Sequence, residues 1–418
     1  MKLKDYRYDI EMCVRCSSCK WIDPIWSKSK RRNKICPISS RYFFDAYSCQ
    51  GIMDMSLAYL DKEIGYSKEL LDVLYKCTLC GACDVMCKRC IDNERLEVIE
   101  AFRADAVEKK KAPLPVHKKI IKNVCDKHNP YGNPHEKRSN WLQGKQPFSE
   151  KPEIVYFAGC TSSYLHPEIV LSTIKILNAA SVNFTIMGPD EWCCGNPLIR
   201  IGDTKQAKKI MAHNMKVLEK SGAKKVLTSC AECYHVWKVD YQRLREKEKM
   251  EYEVFHTSEY VNQLIELGKL NLTKPVKLNA SYHDSCRLAR LSEPYILWKG
   301  ERVSFGRTEP VKKWRRGTNG VYEPPRNVLK KIPGLNLVEM ERIRENAWCC
   351  GAGGGVKWAF NDFATWTATE RLDEASSVGA DAIIAGCPFC KWNFKDTAKK
   401  TKSKIKVYDF VEVVAEAI

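Results

Sequence analysis

Two kinds of cysteine cluster run through the chain. Near the N-terminus, "CVRCSSC" sets Cys13, Cys16 and Cys19 at equal spacing, and "CTLCGACDVMC" sets Cys77, Cys80, Cys83 and Cys87 as C-x2-C-x2-C-x3-C. Three evenly spaced thiolates can cup one corner of a cubane iron–sulfur cluster, whereas a structural zinc ion is served by pairs. Further on, "EWCCGNP" and "AWCCGAGGG" each carry two adjacent cysteines, after a tryptophan and before a glycine. Adjacent cysteines do not readily bond to each other, and they lack the two intervening residues that turn both sulfurs toward one zinc ion.

Each N-terminal triplet needs a remote fourth ligand. In two-cluster ferredoxins the remote cysteines are exchanged between clusters. On that pattern Cys13, Cys16, Cys19 and Cys87 form one [4Fe–4S] site, and Cys77, Cys80, Cys83 and Cys36, from "ICP" after a basic insertion, form the other. Lys88 rather than proline follows Cys87, and Cys90 is an alternative ligand in its place. Two zinc ribbons are the competing reading of these cysteines. Cys49 and Cys125 have no companions and read as ordinary buried thiols.

The remaining cysteines repeat in the order C…CC…CxxC. Cys160, Cys193, Cys194, Cys230 and Cys233 make the first set; Cys286, Cys349, Cys350, Cys387 and Cys390 make the second. Five thiolates exceed what a zinc ion or a cubane takes, so each set is expected to hold a larger or distorted cluster. The glycines after each CC pair allow close backbone approach and N–H bonds to inorganic sulfide. Trp192 and Trp348 are expected to shield the clusters from water.

The elements that must position these residues follow from the patterning. Residues 1–110 hold helical patterns ("SLAYLDKEIG", "SKELLDVLYK", "ERLEVIEAFRADAVEKKK") and read as a mostly helical, ferredoxin-like module. Residues 111–151, rich in Pro, Gly and Asn, read as a linker without long elements. Residues 152–275 and 276–418 then repeat one plan. "EIVYFAGC" parallels "KLNASYHDSC", "VLTSCAEC" parallels "AIIAGCPFC", and "EYEVFHTSEYVNQL" parallels "KIKVYDFVEVVAEA". Apolar strands alternating with helices predict two α/β modules with parallel sheets, with the cysteines at strand C-terminal ends, where such folds bind ligands. The CC pairs lie 156 residues apart and the CxxC motifs 157, but Cys160 and Cys286 only 126. The second copy therefore carries about 30 extra residues, placed at 293–322, mixing Lys and Arg with Trp298, Phe305, Trp314 and Tyr322. Such an insert reads as a partner-docking arm, a lid over the neighbouring site, or a nucleic-acid surface.

The bulk properties narrow the class. Twenty-one cysteines, an odd number, fit metal ligation in a reducing compartment better than a disulfide framework. No apolar h-region opens the chain and no stretch of 18 apolar residues occurs, so a soluble, cytoplasmic protein that is not itself transmembrane is expected. The net charge of +18 comes from scattered lysines with short runs at 28–34, 109–111 and 312–316. An acidic partner protein is expected to meet that field rather than nucleic acid.

With these motifs in place, the chain resembles the D-type heterodisulfide reductase subunits, in which a double-cluster ferredoxin precedes two CCG domains. The segments "CVRCSSCKWI", "ICPISSRYFFDAYSCQG", "YKCTLCGACDVMCK" and "NPYGNPHEKRSNWL" look like the D-type component of class II benzoyl-CoA reductase complexes. The resemblance implies a noncubane [4Fe–4S] cluster in each five-cysteine set, two cubanes before them, and partner subunits carrying flavin or iron–sulfur centres. The insertion between Cys19 and Cys36, the 62 residues between Cys286 and Cys349, and Arg287 where relatives read "HDPCH" depart from the methanogen pattern. The expected function is electron transfer in an anaerobic multisubunit oxidoreductase. Reduction of a small disulfide at the noncubane clusters is the alternative, with His283 as a proton-handling residue or a satisfied structural histidine. A nucleic-acid-binding metalloprotein is the third reading.

Overall fold

Apolar runs that end in cysteine become short, buried parallel strands. In the computed structural model, which describes residues 2–88, 93–142, 149, 151–245 and 251–418, strands β1 (Ile154–Tyr156), β2 (Phe184–Ile186), β3 (Lys225–Thr228) and β4 (Glu253–His256) form a parallel sheet in the order β2-β1-β3-β4. The second copy repeats it with β5 (Leu278–His283), β8 (Leu335–Leu337), β9 (Ala382–Ala385) and β10 (Lys406–Asp409), in the order β8-β5-β9-β10. The three strand pairs read from the sequence occupy matching places in the two sheets. In both, the first cysteine and the CxxC follow the two central strands and the CC pair follows the edge strand beside them, at the sheet end where neighbouring loops diverge and leave room for a ligand.

Residues 37–108 are mostly helical, as the periodicity requires, whereas 12–36 is mostly loop. Ser48 caps the helix Cys49–Leu60 by accepting from the Gly51 N–H, and Ser67 caps Lys68–Lys76 in the same way. Ala82–Lys88 and Arg95–Glu108 follow. The expected linker differs from its reading: Pro115–Lys127 is a 13-residue helix. "APLP" reads as a breaker, but Pro115 sits at the first helical position, where a missing N–H costs nothing, and His117, Ile120 and Val124 share the buried face.

The insert is turned onto the chain's own N-terminal module. Its hairpin, β6 (Glu301–Arg302) with β7 (Thr308–Glu309), lays the Arg302 guanidinium 3.8 Å over the Tyr8 ring. Lys312 pairs with Glu94 at 3.0 Å and Arg315 with Glu97 at 2.9 Å. Buried Lys88, between Asp84 and Glu94, also donates to the Arg315 carbonyl, while Arg316 donates to the Lys88 carbonyl. The basic run at 312–316 thus meets internal carboxylates. Trp314 lies under Lys312, and Trp298 donates to the Pro310 carbonyl within the segment. The side chain of Phe305 lies outside the described residues.

Arg103, fully buried on the helix Arg95–Glu108, joins three parts of the chain. Its guanidinium donates to the carbonyls of Leu74 and Cys77, of Arg200 in the first α/β module, and of Gly354 in the second.

Candidate metal centres

The eight N-terminal cysteines assemble as two cavities. Cys13, Cys16, Cys19 and Cys87 line one; Cys36, Cys77, Cys80 and Cys83 line the other. Cys90 lies outside the described residues. Arg95 donates its Nε–H to Cys87 Sγ at 3.2 Å, a bond that favours the thiolate. Ser18 accepts from Cys16 at 3.3 Å. Cys49 is not an isolated thiol: it lines both cavities, and its sulfur is hydrogen-bonded to Cys19 and Cys83.

The two five-cysteine sets are also drawn together, almost wholly buried. In the first, Cys160 bonds Cys193, Cys193 bonds Cys194, Cys194 bonds Cys233, and Cys233 bonds Cys230. In the second, Cys349 meets Cys286 and Cys350, Cys390 lies 3.2 Å from Cys350, and Cys387 bonds Cys390. Each CxxC opens a helix, with Cys230 and Cys387 at the cap positions. At the longer of these, Pro388–Thr401, the positive helix terminus favours thiolates.

Contacts also cross between sites. Cys349 is hydrogen-bonded to Cys80 of the second N-terminal cavity, packed with Ile22, Ile35, Val85 and Met86. Cys230 is hydrogen-bonded to Cys387. With Cys49 between Cys19 and Cys83, the four sites form one file: first N-terminal, second N-terminal, second C-terminal, first C-terminal. The Cys349 bond holds Cys80 down to about 5, and Arg290 acts in the same direction. Bonds from Cys193 and Cys233 hold Cys194 down to about 6, whereas burial pushes Cys77 up to about 12.

The glycines divide their work. The first glycine after each pair donates N–H to protein sulfur, Gly195 to Cys193 at 3.4 Å and Gly351 to Cys349 at 3.3 Å. The later ones in "GAGGG" instead meet the N-terminal module and the helix Pro115–Lys127. A Cβ on Gly354 would stand 2.6 Å from the Cys77 carbonyl, and one on Gly355 2.7 Å from His117 Nε2. Gly354→Ala adds a φ of +67° to that clash and is expected to cost about 1–3 kcal/mol, read as a lowered Tm. An unchanged Tm would remove this glycine from the seam. The tryptophans also differ: Trp348 is buried and donates to the Thr367 carbonyl, but Trp192 is only half-buried, stacked between His128 and His213.

His283, at the end of β5, accepts from Arg371 Nε at 3.2 Å on Nδ1, so the neutral ring carries its proton on Nε2. The ring is also hydrogen-bonded to Cys350, and Cys350, Cys390 and His283 lie within 4.8 Å of one another. Burial lowers the His283 pKa.

Other supporting residues carried no signal in the sequence. Arg138, in "HEKRSNWL", bonds Cys160 Sγ at 3.2 Å while buried against Glu191 at 2.6 Å. Arg287, the departure noted after Cys286, donates to the Leu79 carbonyl at 3.0 Å and meets His235 of the first α/β module at 3.3 Å. Cys125 stays apart, half-buried on its helix. Among the described residues no helix is long and apolar enough to cross a membrane.

All-thiolate donor sets, buried and converging from separate elements, suit soft iron–sulfur centres and not hard cations. The fold and these sets define a tandem cysteine-rich iron–sulfur redox protein, and a model described as "Cysteine-rich domain", CCG, matches residues 154–238 and 313–395. Over 416 residues the chain is 34% identical to the D-type component of the dihydromethanophenazine:CoB–CoM heterodisulfide reductase of Methanosarcina barkeri, spanning 98% of this chain and 94% of that one. The Methanosarcina mazei counterpart is 33% identical over the same share. The "EtfAB:quinone oxidoreductase" of Syntrophomonas wolfei is 26% identical over 98% of this chain and 58% of its own length. The chain belongs to the D-type heterodisulfide reductase family.

Proposed function

We propose that the chain is an electron-carrying iron–sulfur subunit of an anaerobic multisubunit oxidoreductase. Cys13, Cys16, Cys19 and Cys87 would hold one cubane, Cys36, Cys77, Cys80 and Cys83 a second, and each five-cysteine set a noncubane [4Fe–4S] cluster. The observation that carries this reading is the file of sulfur contacts that links the four sites from Cys19 to Cys160. When bound, the clusters supply one-electron steps; the chain fixes their order, buries the two five-cysteine sites and tunes the clusters with Arg95, Arg138 and the Gly195 and Gly351 N–H groups.

The end of the file that opens to solvent is the first N-terminal site, where Cys16 is exposed. Val14, which lines that site, and Ile25, Trp26, Phe43 and Phe44 of the same module are each more than half exposed, with Lys28, Lys30 and Arg31 also at the surface. Exposed apolar and basic side chains of this kind suit docking of a flavin- or iron–sulfur-containing partner with acidic patches. Placement in a benzoyl-CoA reductase-type complex rests on the N-terminal sequence resemblance, and copurifying partner chains would settle it.

A second reading, reduction of a small disulfide, is favoured by the Cys230–Cys387 contact, which brings two five-thiolate sites side by side, and by His283 against Cys350 and Cys390. Anaerobically purified protein is expected to be brown, with about sixteen irons per chain. Reoxidation of the dithionite-reduced protein by the CoM–CoB heterodisulfide would support the second reading, and inertness would confine the chain to electron transfer. A colourless zinc protein would overturn both.

A further inference from the structure

A cubane takes four thiolates. The first N-terminal cavity is lined by five cysteines, Cys13, Cys16, Cys19, Cys49 and Cys87, and the second also by five, Cys36, Cys49, Cys77, Cys80 and Cys83. Each cavity holds one sulfur more than its cluster uses, and the surplus sulfur is the same residue. Cys49 is not there as packing filler at the edge of an apolar core. It is the first residue of the helix Cys49–Leu60, fixed by the Ser48 cap, 4% exposed, with its thiol bonded to Cys19 on one side and Cys83 on the other. Both neighbours belong to the four-cysteine sets assigned above, one to each.

We propose that Cys49 is a reserve ligand shared by the two N-terminal sites, placed to take over the iron of Cys19 or of Cys83 when either sulfur is lost. The exchange is a ligand substitution without electron transfer. The S–H bond of Cys49 breaks and its proton leaves to solvent; its sulfur forms the Fe–S bond that the lost side chain no longer makes. The first site opens to solvent at Cys16, with Cys13 and Cys87 half-buried, so an oxidant that enters there reaches the cavity that Cys19 and Cys49 line from its buried side. A thiol held between the sites protects both without crowding either.

This inference rests on the iron–sulfur reading above, and the experiment separates the two. Iron per chain and the EPR spectrum of the dithionite-reduced full-length protein are measured after anaerobic reconstitution for wild type, C49A, C19A, C19A/C49A, C83A and C83A/C49A. Wild type and C49A are expected to hold equal iron. At least one of C19A and C83A is expected to keep its full iron with an altered EPR signal, and its double variant to lose about four irons. Equal iron in each single variant and its double overturns the proposal, as does loss of iron in C49A alone or failure of both single variants to hold their cluster by any route. A wild type without iron overturns the underlying reading instead.

Discussion

Cys349→Ala is expected to cost about four irons per chain and to slow electron passage from the N-terminal sites to the first C-terminal site, followed by rapid-freeze EPR, at least about a hundredfold. Cys349 is the joint of the file. Its sulfur meets Cys286 and Cys350 within its own set and Cys80 across the module boundary, and it lies 3.6 Å from the Thr78 hydroxyl. Removing it empties the second C-terminal set and breaks the sulfur-to-sulfur contact through which the file leaves the N-terminal module. The EPR signals of the two N-terminal sites should persist, because the eight cysteines proposed to hold them are unchanged. Cys160→Ala makes the comparison informative: it removes a ligand at the far end, so electrons should still reach the second C-terminal site. Equal iron and equal rates in C349A and wild type would sink the proposed order.

Arg103→Ala is expected to lower stability by about 4 kcal/mol, with Arg103→Lys recovering little of it. The guanidinium, wholly buried, makes five hydrogen bonds of 2.6–3.1 Å to four backbone carbonyls. Each charge-assisted bond contributes about 1.5–3 kcal/mol, offset by the desolvation of a buried cation that the alanine variant no longer bears. Lysine supplies charge without the planar fork, so it cannot serve Leu74, Cys77, Arg200 and Gly354 together. Because the Cys77 and Gly354 carbonyls flank the second N-terminal site and the second CC pair, the variant should also raise the spread of EPR line widths. A fall in Tm smaller than about 2 °C would show that the carbonyls find other partners.

Three strand pairs and their parallel arrangement were legible in the sequence because apolar runs mark them, and the triplets and CC pairs stood out by local spacing; the edge strands β2 and β8 carried no such mark. What escaped is what distance in space decides. Cys49 carries no motif, and only the placement of the helix Cys49–Leu60 beside both triplets makes it a neighbour of Cys19 and Cys83. "GAGGG" read as a sulfide cradle, yet Gly353 and Gly354 press on the backbone of Cys77 and Thr78 instead, a contact between residues nearly three hundred positions apart. Arg138 looked like one basic residue in a loop, and Arg287 like a deviation; each is paired across modules. The helix Pro115–Lys127 was hidden because Pro signals both a break and a start.

The segment 293–322 gives the N-terminal module an unusual debt to the end of the chain. Glu94 and Lys312 are separated by 218 positions, as are Glu97 and Arg315. At ordinary ribosomal speeds of about 5–20 residues per second, that is about 10–40 s of translation. Through that interval all eight cysteines of the first two sites have been made while Glu94 and Glu97 still lack Lys312 and Arg315. The early part of the chain is thus complete in sulfur before it is complete in charge, and truncation at any point before 312 would yield a module with its ligands but not its clasp.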